Sequence, residues 1–402
     1  MIAFDEAYAR VLAETRPVVG MELLRVEDAL GRVLAAPILA GFDVPNHANS
    51  AMDGYAVRTV DLAAGGETTL TVVADLPAGE RLERTMQARE AVRIMTGAPI
   101  PPGCDCVVMQ ELVRRVGDQV TVPAGRVPGE NIRPAGEDIQ AGSVVLPRGT
   151  RLRPAHLGLL TALGWEQVEV WRRPVVALLS TGNEVVEPGT PLLPGQVYDS
   201  NRTTLRAALQ ALGVVVLDLG VVRDDREAIA AALVRGGAEA DAVITTGGVS
   251  VGDHDLVKEV LEGQGAIHFW QVAMKPGKPQ AYGQLGQARF FGLPGNPVSG
   301  LAVFLLIVRP ALLRMMGALD EPPRRMQAVF RGALNKKHNR MDFLRGIAHG
   351  DEQGEVWVET TGPQGSGILT SFAKANVLII LPEAPVRLVD GDKVRIQWID
   401  HD

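Results

Sequence analysis

The sequence predicts a multidomain α/β plus β protein built around a parallel α/β domain, and three observations carry that prediction. First, the chain has 402 residues, enough for about two to four domains. Second, the apolar runs VVALLSTG (175–182), DAVITTGG (241–248) and ARFFGLPGNP (288–297) alternate with helical stretches such as TTLRAALQALG and REAIAAALVRG. Third, short alternating runs broken by Gly and Pro fill both 46–134 and the last eighty or so residues.

From the amino terminus, residues 1–35 read as helical. Phe4, Ala7, Val11 and Leu12 share a helix face, and VEDALGRVLA repeats the spacing before Pro37 stops it. TTLTVVADL, EAVRIMTG, CDCVVMQELV and DQVTVPA then predict a β-rich insertion over 46–134. A brief strand in SVVLPRGTRL and a helix opened by Pro154 suggest that 1–45 and 135–170 form a discontinuous linker domain around it. Boundary signals at WRRP and ALDEPPRR bracket the α/β domain, 171–322, in which VVVLDLG supplies a further run. Residues 323–402 (MQAVFRGAL, GEVWVETTG, NVLIILPEA, DKVRIQWID) predict a small β-barrel-like domain.

Composition excludes several function classes. The net charge of −7, with no long Lys/Arg run, argues against nucleic acid, because phosphate-backbone affinity needs clustered positive charge. The amino terminus places Asp5 and Glu6 where a secretory signal is basic, and the longest apolar stretch, 301–308, meets Arg309-Pro310, so neither export nor a membrane is expected. Two cysteines, Cys104 and Cys106, are too few for a disulfide framework or a four-thiolate metal site; they read as core filling in a cytoplasmic protein. His47, His254 and His338 lack companion ligands for zinc. No GxSxG, Walker A or GxGxxG pattern occurs.

In a parallel sheet, ligands bind beyond the carboxyl ends of the strands. Three loops there combine Gly with hydroxyl or amide residues: STGNEV (Ser180, Thr181, Gly182, Glu184), TTGGVSVGDHD (Gly247, Gly248, Ser250, Asp255) and LPGNPVSG (Pro294, Gly295, Asn296, Pro297). Such loops turn backbone N–H groups toward an anion, which points to a phosphate-bearing ligand. Lys275 and Lys278 flank the rigid Pro276-Gly277 turn and suit an oxyanion. Glu184, Asp224, Asp225, Asp253 and Asp255 offer the hard oxygens that Mg²⁺ prefers, with helix capping the alternative for Asp224, Asp225 and Asp253.

The set NSAMDGYAV, RIMTGAP, STGNEV, TTGGVSVGDHD, MKPGKP and LPGNPVS resembles, over essentially the whole chain, the molybdopterin molybdenumtransferase family: bacterial MoeA and the E domain of gephyrin. The resemblance implies an elongated molecule whose α/β domain binds molybdopterin. It implies insertion of molybdate into the dithiolene of adenylylated molybdopterin, with Mg²⁺-dependent release of AMP. Carried over by position, Glu184, Asp224 and Asp255 are metal-linked; Asp53, Thr96, Glu184, Asp255, Lys275 and Lys278 are catalytic; Asp138, Arg345 and Ser366 join the three loops in binding cofactor. Asp53 and Thr96 lie in the insertion that family dimers bring to the partner subunit's cleft, so a homodimer is implied. A molybdopterin adenylyltransferase and molybdoenzyme apoproteins are candidate partners. Gln271 departs from the basic residue common among relatives, which is expected to weaken an oxyanion contact. Two alternatives stay open at this point: adenylyl transfer to molybdopterin, and a scaffold or carrier without turnover.

Overall fold

Four aliphatic runs become the parallel heart of a six-stranded sheet in the order Val215–Val222, Val175–Thr181, Ala242–Thr246, Ala288–Leu293, Pro279–Leu285 and Ile267–Gln271. The computed structural model describes residues 1–248, 256–261, 267–319 and 322–399. They fall into two compact units: Met1–Ala35, Gly149–Leu157 and Glu166–Asp402 form one, and Ala36–Arg148 with Gly158–Trp165 form the other.

In the first unit, alternation along the strands sends side chains to two cores. Val176, Leu178, Ile244, Phe291 and Leu293 pack with Leu205, Leu209 and Leu212 of helix Ser200–Leu212. Ala177, Leu179, Val243 and Phe290 pack with Ile229 and Leu233 of helix Arg226–Glu239. Each fully buried side chain of this size contributes about 1.5–3 kcal/mol. Asp199 and Asp225 cap the two helices, accepting from the Arg202 and Ala228 N–H groups. Capping is therefore the correct reading of Asp225.

The sheet is not wholly parallel. Pro279–Leu285 runs antiparallel to both of its neighbours, the tight Gly286-Gln287 turn pairing Leu285 directly with Ala288. A second correction concerns residues 1–35, where only Phe4–Glu14 is helical. Met21–Arg25 is a strand paired with Gln167–Trp171, and VEDALGRVLA contains one turn of 3-10 helix, Val26–Asp28. The backbone N–H groups of Leu34 and Ala35 go instead to the Thr150 and Glu169 carbonyls, so long-range pairing overrides a helical spacing that Pro17 and Gly20 already interrupt. Phe4, Ala7 and Val11 join the core of the α/β sheet.

The apolar stretch at 301–308 does not end at Pro310. A π turn, Phe304–Val308, carries the helix on into Arg309–Met315. Pro297–Met315 is the one described stretch long and apolar enough to cross a membrane, yet it is largely buried in the core, with Val303, Phe304, Val308 and Leu312 nearly inaccessible. The last domain is a closed barrel of Met341–Gly350, Val356–Thr360, Arg325–Phe330, Lys393–Trp398 and Val377–Leu381, the fifth strand pairing back to the first. Met274–Lys275 adds a short parallel strand to it.

The second unit holds the expected β-rich insertion as a six-stranded sheet, ordered Cys106–Met109, Gly54–Val57, Glu90–Ile94, Glu67–Leu76, Gln119–Pro123 and Arg114–Val116. Cys106 is buried in one core and Cys104 packs against another. Burial first, then neighbouring carboxylates such as Asp105, push both thiols up to about 12, as befits core residues rather than a redox pair.

Candidate active site

Register brings the loops of the α/β sheet together. Thr181 stands opposite Val222, Ser180 opposite Thr246, and Thr246 opposite Leu293, so four strands end side by side. The Ser180 and Thr246 hydroxyls share a buried hydrogen bond of 2.9 Å that ties the first two loops at their roots. The Gly247 N–H donates to the Leu293 carbonyl at 3.0 Å. Gly247 has φ +89°, and a Cβ there would lie 3.0 Å from the Thr181 carbonyl oxygen; any side chain would force the first two loops apart. Gly295 approaches Gly247 closely, and Asn201 Nδ2 donates to the Gly295 carbonyl at 2.7 Å, fixing the third loop to helix Ser200–Leu212. Pro294, Asn296 and Pro297 complete the turn into helix Pro297–Val303, with Asn296 as the N-cap residue.

The acidic groups sit on the same edge. Glu184 is exposed, and its carboxylate folds over Gly182: a Cβ on Gly182, at φ +137°, would meet Glu184 Oε2 at 2.7 Å. Asn183 and Asp224 are locked reciprocally, the Asn183 N–H donating to Asp224 Oδ2 at 3.1 Å and the Asp224 N–H to Asn183 Oδ1 at 3.2 Å. Gly248 is described, whereas Ser250, Asp253, His254 and Asp255 lie outside the described residues. Among the described residues no three His, Cys, Asp or Glu side chains cluster as a metal centre. Glu184 and Asp224 offer hard oxygen donors, the ligand type that a divalent cation such as Mg²⁺ takes.

The MKPGKP turn carries the cationic side. Gln280 Nε2 donates to the Gly277 carbonyl at 2.7 Å and anchors the turn. Lys275 and Lys278 are half-buried; Lys275 Nζ lies 3.4 Å from His338 Nε2, which lies 3.4 Å from Asp342 Oδ2. Burial pushes the Asp342 carboxyl up and the His338 imidazole down. Gln271 is exposed, paired with Pro279.

Arg345 is 1% exposed, donates from Nε to Ser371 Oγ at 2.9 Å, and has its guanidinium pushed down to about 10 by burial. It holds the 361–371 loop, and in that loop the Ser366 carbonyl accepts the Val298 N–H at 3.1 Å. Ser366 thus meets, through its backbone, the helix that follows the LPGNP loop.

In the other unit, the Thr96 N–H and hydroxyl both donate to Asp53 Oδ1 at 2.8 Å. These bonds, the backbone one foremost, hold the Asp53 carboxyl below its ordinary value. Asp138 is exposed, its N–H donating to the Val44 carbonyl. The ionised Asp53 is what Thr96 favours, so this contribution is present at neutral pH and disappears as pH falls through the lowered pKa. Thr96→Val is expected to raise the Asp53 pKa; an NMR titration of the carboxyl carbon that matches wild type contradicts this.

Sequence reasoning does not single out Asn183, Asn201, Asp342 or Ser371, and it leaves His338 as a loop residue. Asn183 is the one with a local signal, since it follows Gly182 in STGNEV; the others reach the site through pairings distant in sequence.

Residues 2–164 match the MoeA N-terminal region (domain I and II), 177–314 a probable molybdopterin binding domain, and 327–398 the MoeA C-terminal region (domain IV). The chain is 41% identical to the molybdopterin molybdenumtransferase of Haemophilus influenzae, across 100% of this chain and 99% of that protein. It is 36% identical to that of Bacillus subtilis, across 99% and 94% respectively. A molybdopterin biosynthesis MoeA protein from Pyrococcus horikoshii OT3 superposes with a TM-score of 0.87 at 30% identity, covering 99% of this chain and 100% of that one. With its domains, its fold and its full-length relatives in agreement, the chain belongs to the molybdopterin molybdenumtransferase family and is an enzyme of that type.

Proposed function

We propose that the enzyme inserts molybdate into the dithiolene of adenylylated molybdopterin and releases AMP in a Mg²⁺-dependent step. The observation that carries the reading is the convergence of three Gly-bearing loops, Glu184 and Asp224 on one strand-end edge of the sheet. Backbone N–H groups of the 180–185, 245–248 and 293–297 loops suit the phosphates, and Lys275 and Lys278 suit an oxyanion. Glu184 and Asp224, with Asp255 as the third expected ligand, would hold Mg²⁺, which when bound neutralises charge developing on the phosphates. The reciprocal Asn183 bonds keep Asp224 oriented, and the Ser180–Thr246 bond keeps the loops in register. No covalent nucleophile is required.

We further propose a cytoplasmic homodimer in which Asp53 and Thr96 complete the partner's cleft, with an adenylyltransferase and apo-molybdoenzymes as neighbours in the reaction sequence. The test is AMP release from adenylylated molybdopterin with Mg²⁺, titrating molybdate and then tungstate, with Asp255→Ala as control. Release that needs the oxyanion and vanishes in the variant supports the insertase; tight binding without release contradicts it.

A further inference from the structure

The parallel pairing of Met274–Lys275 with Met341–Gly350 sets Lys275 directly opposite Asp342. Asp342 is 3% exposed, and its Oδ1 and the His338 Nδ1 are shielded without a hydrogen-bond partner among the described residues. A buried carboxylate in that state depends on nearby positive charge. Lys336 is close, but its ammonium already donates to the carbonyls of His338, Glu383 and Ala384 at 2.7, 2.8 and 2.8 Å, so all three of its hydrogens are used. The connection left to Asp342 runs through His338 Nε2, which stands 3.4 Å from both Asp342 Oδ2 and Lys275 Nζ. One ring nitrogen cannot serve both in the same protonation state: a bare nitrogen accepts from the ammonium, whereas a protonated one donates to the carboxylate.

We propose that His338 is a positioning residue that decides how Lys275 is presented to an oxyanion: bare, Nε2 holds the Lys275 ammonium; protonated, it turns to Asp342 and releases Lys275 toward the anion. The inference rests on the functional reading above, in which Lys275 meets molybdate. Asp342, Lys275, Lys336 and Arg340 are the charged groups facing the imidazole. Burial lowers its affinity for a proton, so the release belongs to the acid side of the ordinary imidazole range.

The experiment is the pH dependence of KM for molybdate in wild type, His338→Gln and Lys275→Ala, each singly and the last two combined, with thermal unfolding as a check on folding. Between about pH 8 and 5, the wild-type KM is expected to fall about tenfold, the size of one charge-assisted contact, while His338→Gln, half-exposed and isosteric in reach, stays flat with kcat nearly unchanged. In the Lys275→Ala background, His338→Gln is expected to change nothing further. Should Gln prevent folding, His338→Asn carries the same expectation. A pH slope that survives in the His338 variant, or an equal effect of that variant without Lys275, overturns the proposal. Failure of the functional reading is visible separately, as wild type that does not turn over molybdate at any pH.

Discussion

Glu184→Gln is expected to lower AMP release by about 10²-fold or more while leaving the unfolding temperature unchanged. The side chain is exposed and folds over Gly182 at the mouth of the site, so amide for carboxylate keeps its shape and costs the fold little. On the proposed assignment one negative oxygen donor for Mg²⁺ disappears, and the remaining activity is expected to require a higher Mg²⁺ concentration. Activity equal to wild type at every Mg²⁺ concentration contradicts the assignment of Glu184. Asp224→Asn is a weaker probe, because Asp224 Oδ2 also accepts the Asn183 N–H.

Gly277→Ala is expected to cost stability and activity together. Gly277 has φ +100°, and a Cβ there would lie 2.6 Å from Val303 Cγ2, inside the buried helix that follows the third loop. The left-handed backbone costs about 1–2 kcal/mol for an L-residue and overpacking about 1–3, giving about 2–5 kcal/mol in all. The displaced turn carries Lys275 and Lys278, so KM for molybdate rises as well. Adding Val303→Ala removes the clash and keeps the backbone penalty. A double-mutant cycle by urea unfolding is therefore expected to show about 1–2 kcal/mol of favourable coupling. Strict additivity contradicts the packing argument.

Both effects concern residues that the sequence makes visible, and the reason is local. Gly, Pro and carboxylate residues following aliphatic runs mark the ends of parallel strands, so STGNEV, TTGG and LPGNP were legible, as were the β-rich insertion and the terminal barrel. Residues 15–35 were not, because Val26, Ala29 and Val33 keep a helical spacing while the backbone of Val26 and Val33 pairs with Glu166, Arg151 and Trp171. The antiparallel edge was hidden for a related reason: a two-residue turn at Gly286-Gln287 reverses what continuous apolar runs suggest. Within the site, Asn201 and Ser371 meet Gly295 and Arg345 from helices distant in sequence, and the His338–Asp342 pair meets Lys275 through the register of Lys275 against Asp342. Asp225 shows the converse, a carboxylate whose helix-capping role is written in the residues that follow it.

Whether molybdate insertion and AMP release are coupled, as the proposed reaction requires, is tested by a single turnover with enzyme in excess over adenylylated molybdopterin. AMP released and molybdenum retained on the pterin are measured in the same sample. One AMP is expected for each molybdenum retained, with neither appearing when molybdate is omitted; AMP released at the same rate without molybdate would contradict the coupling.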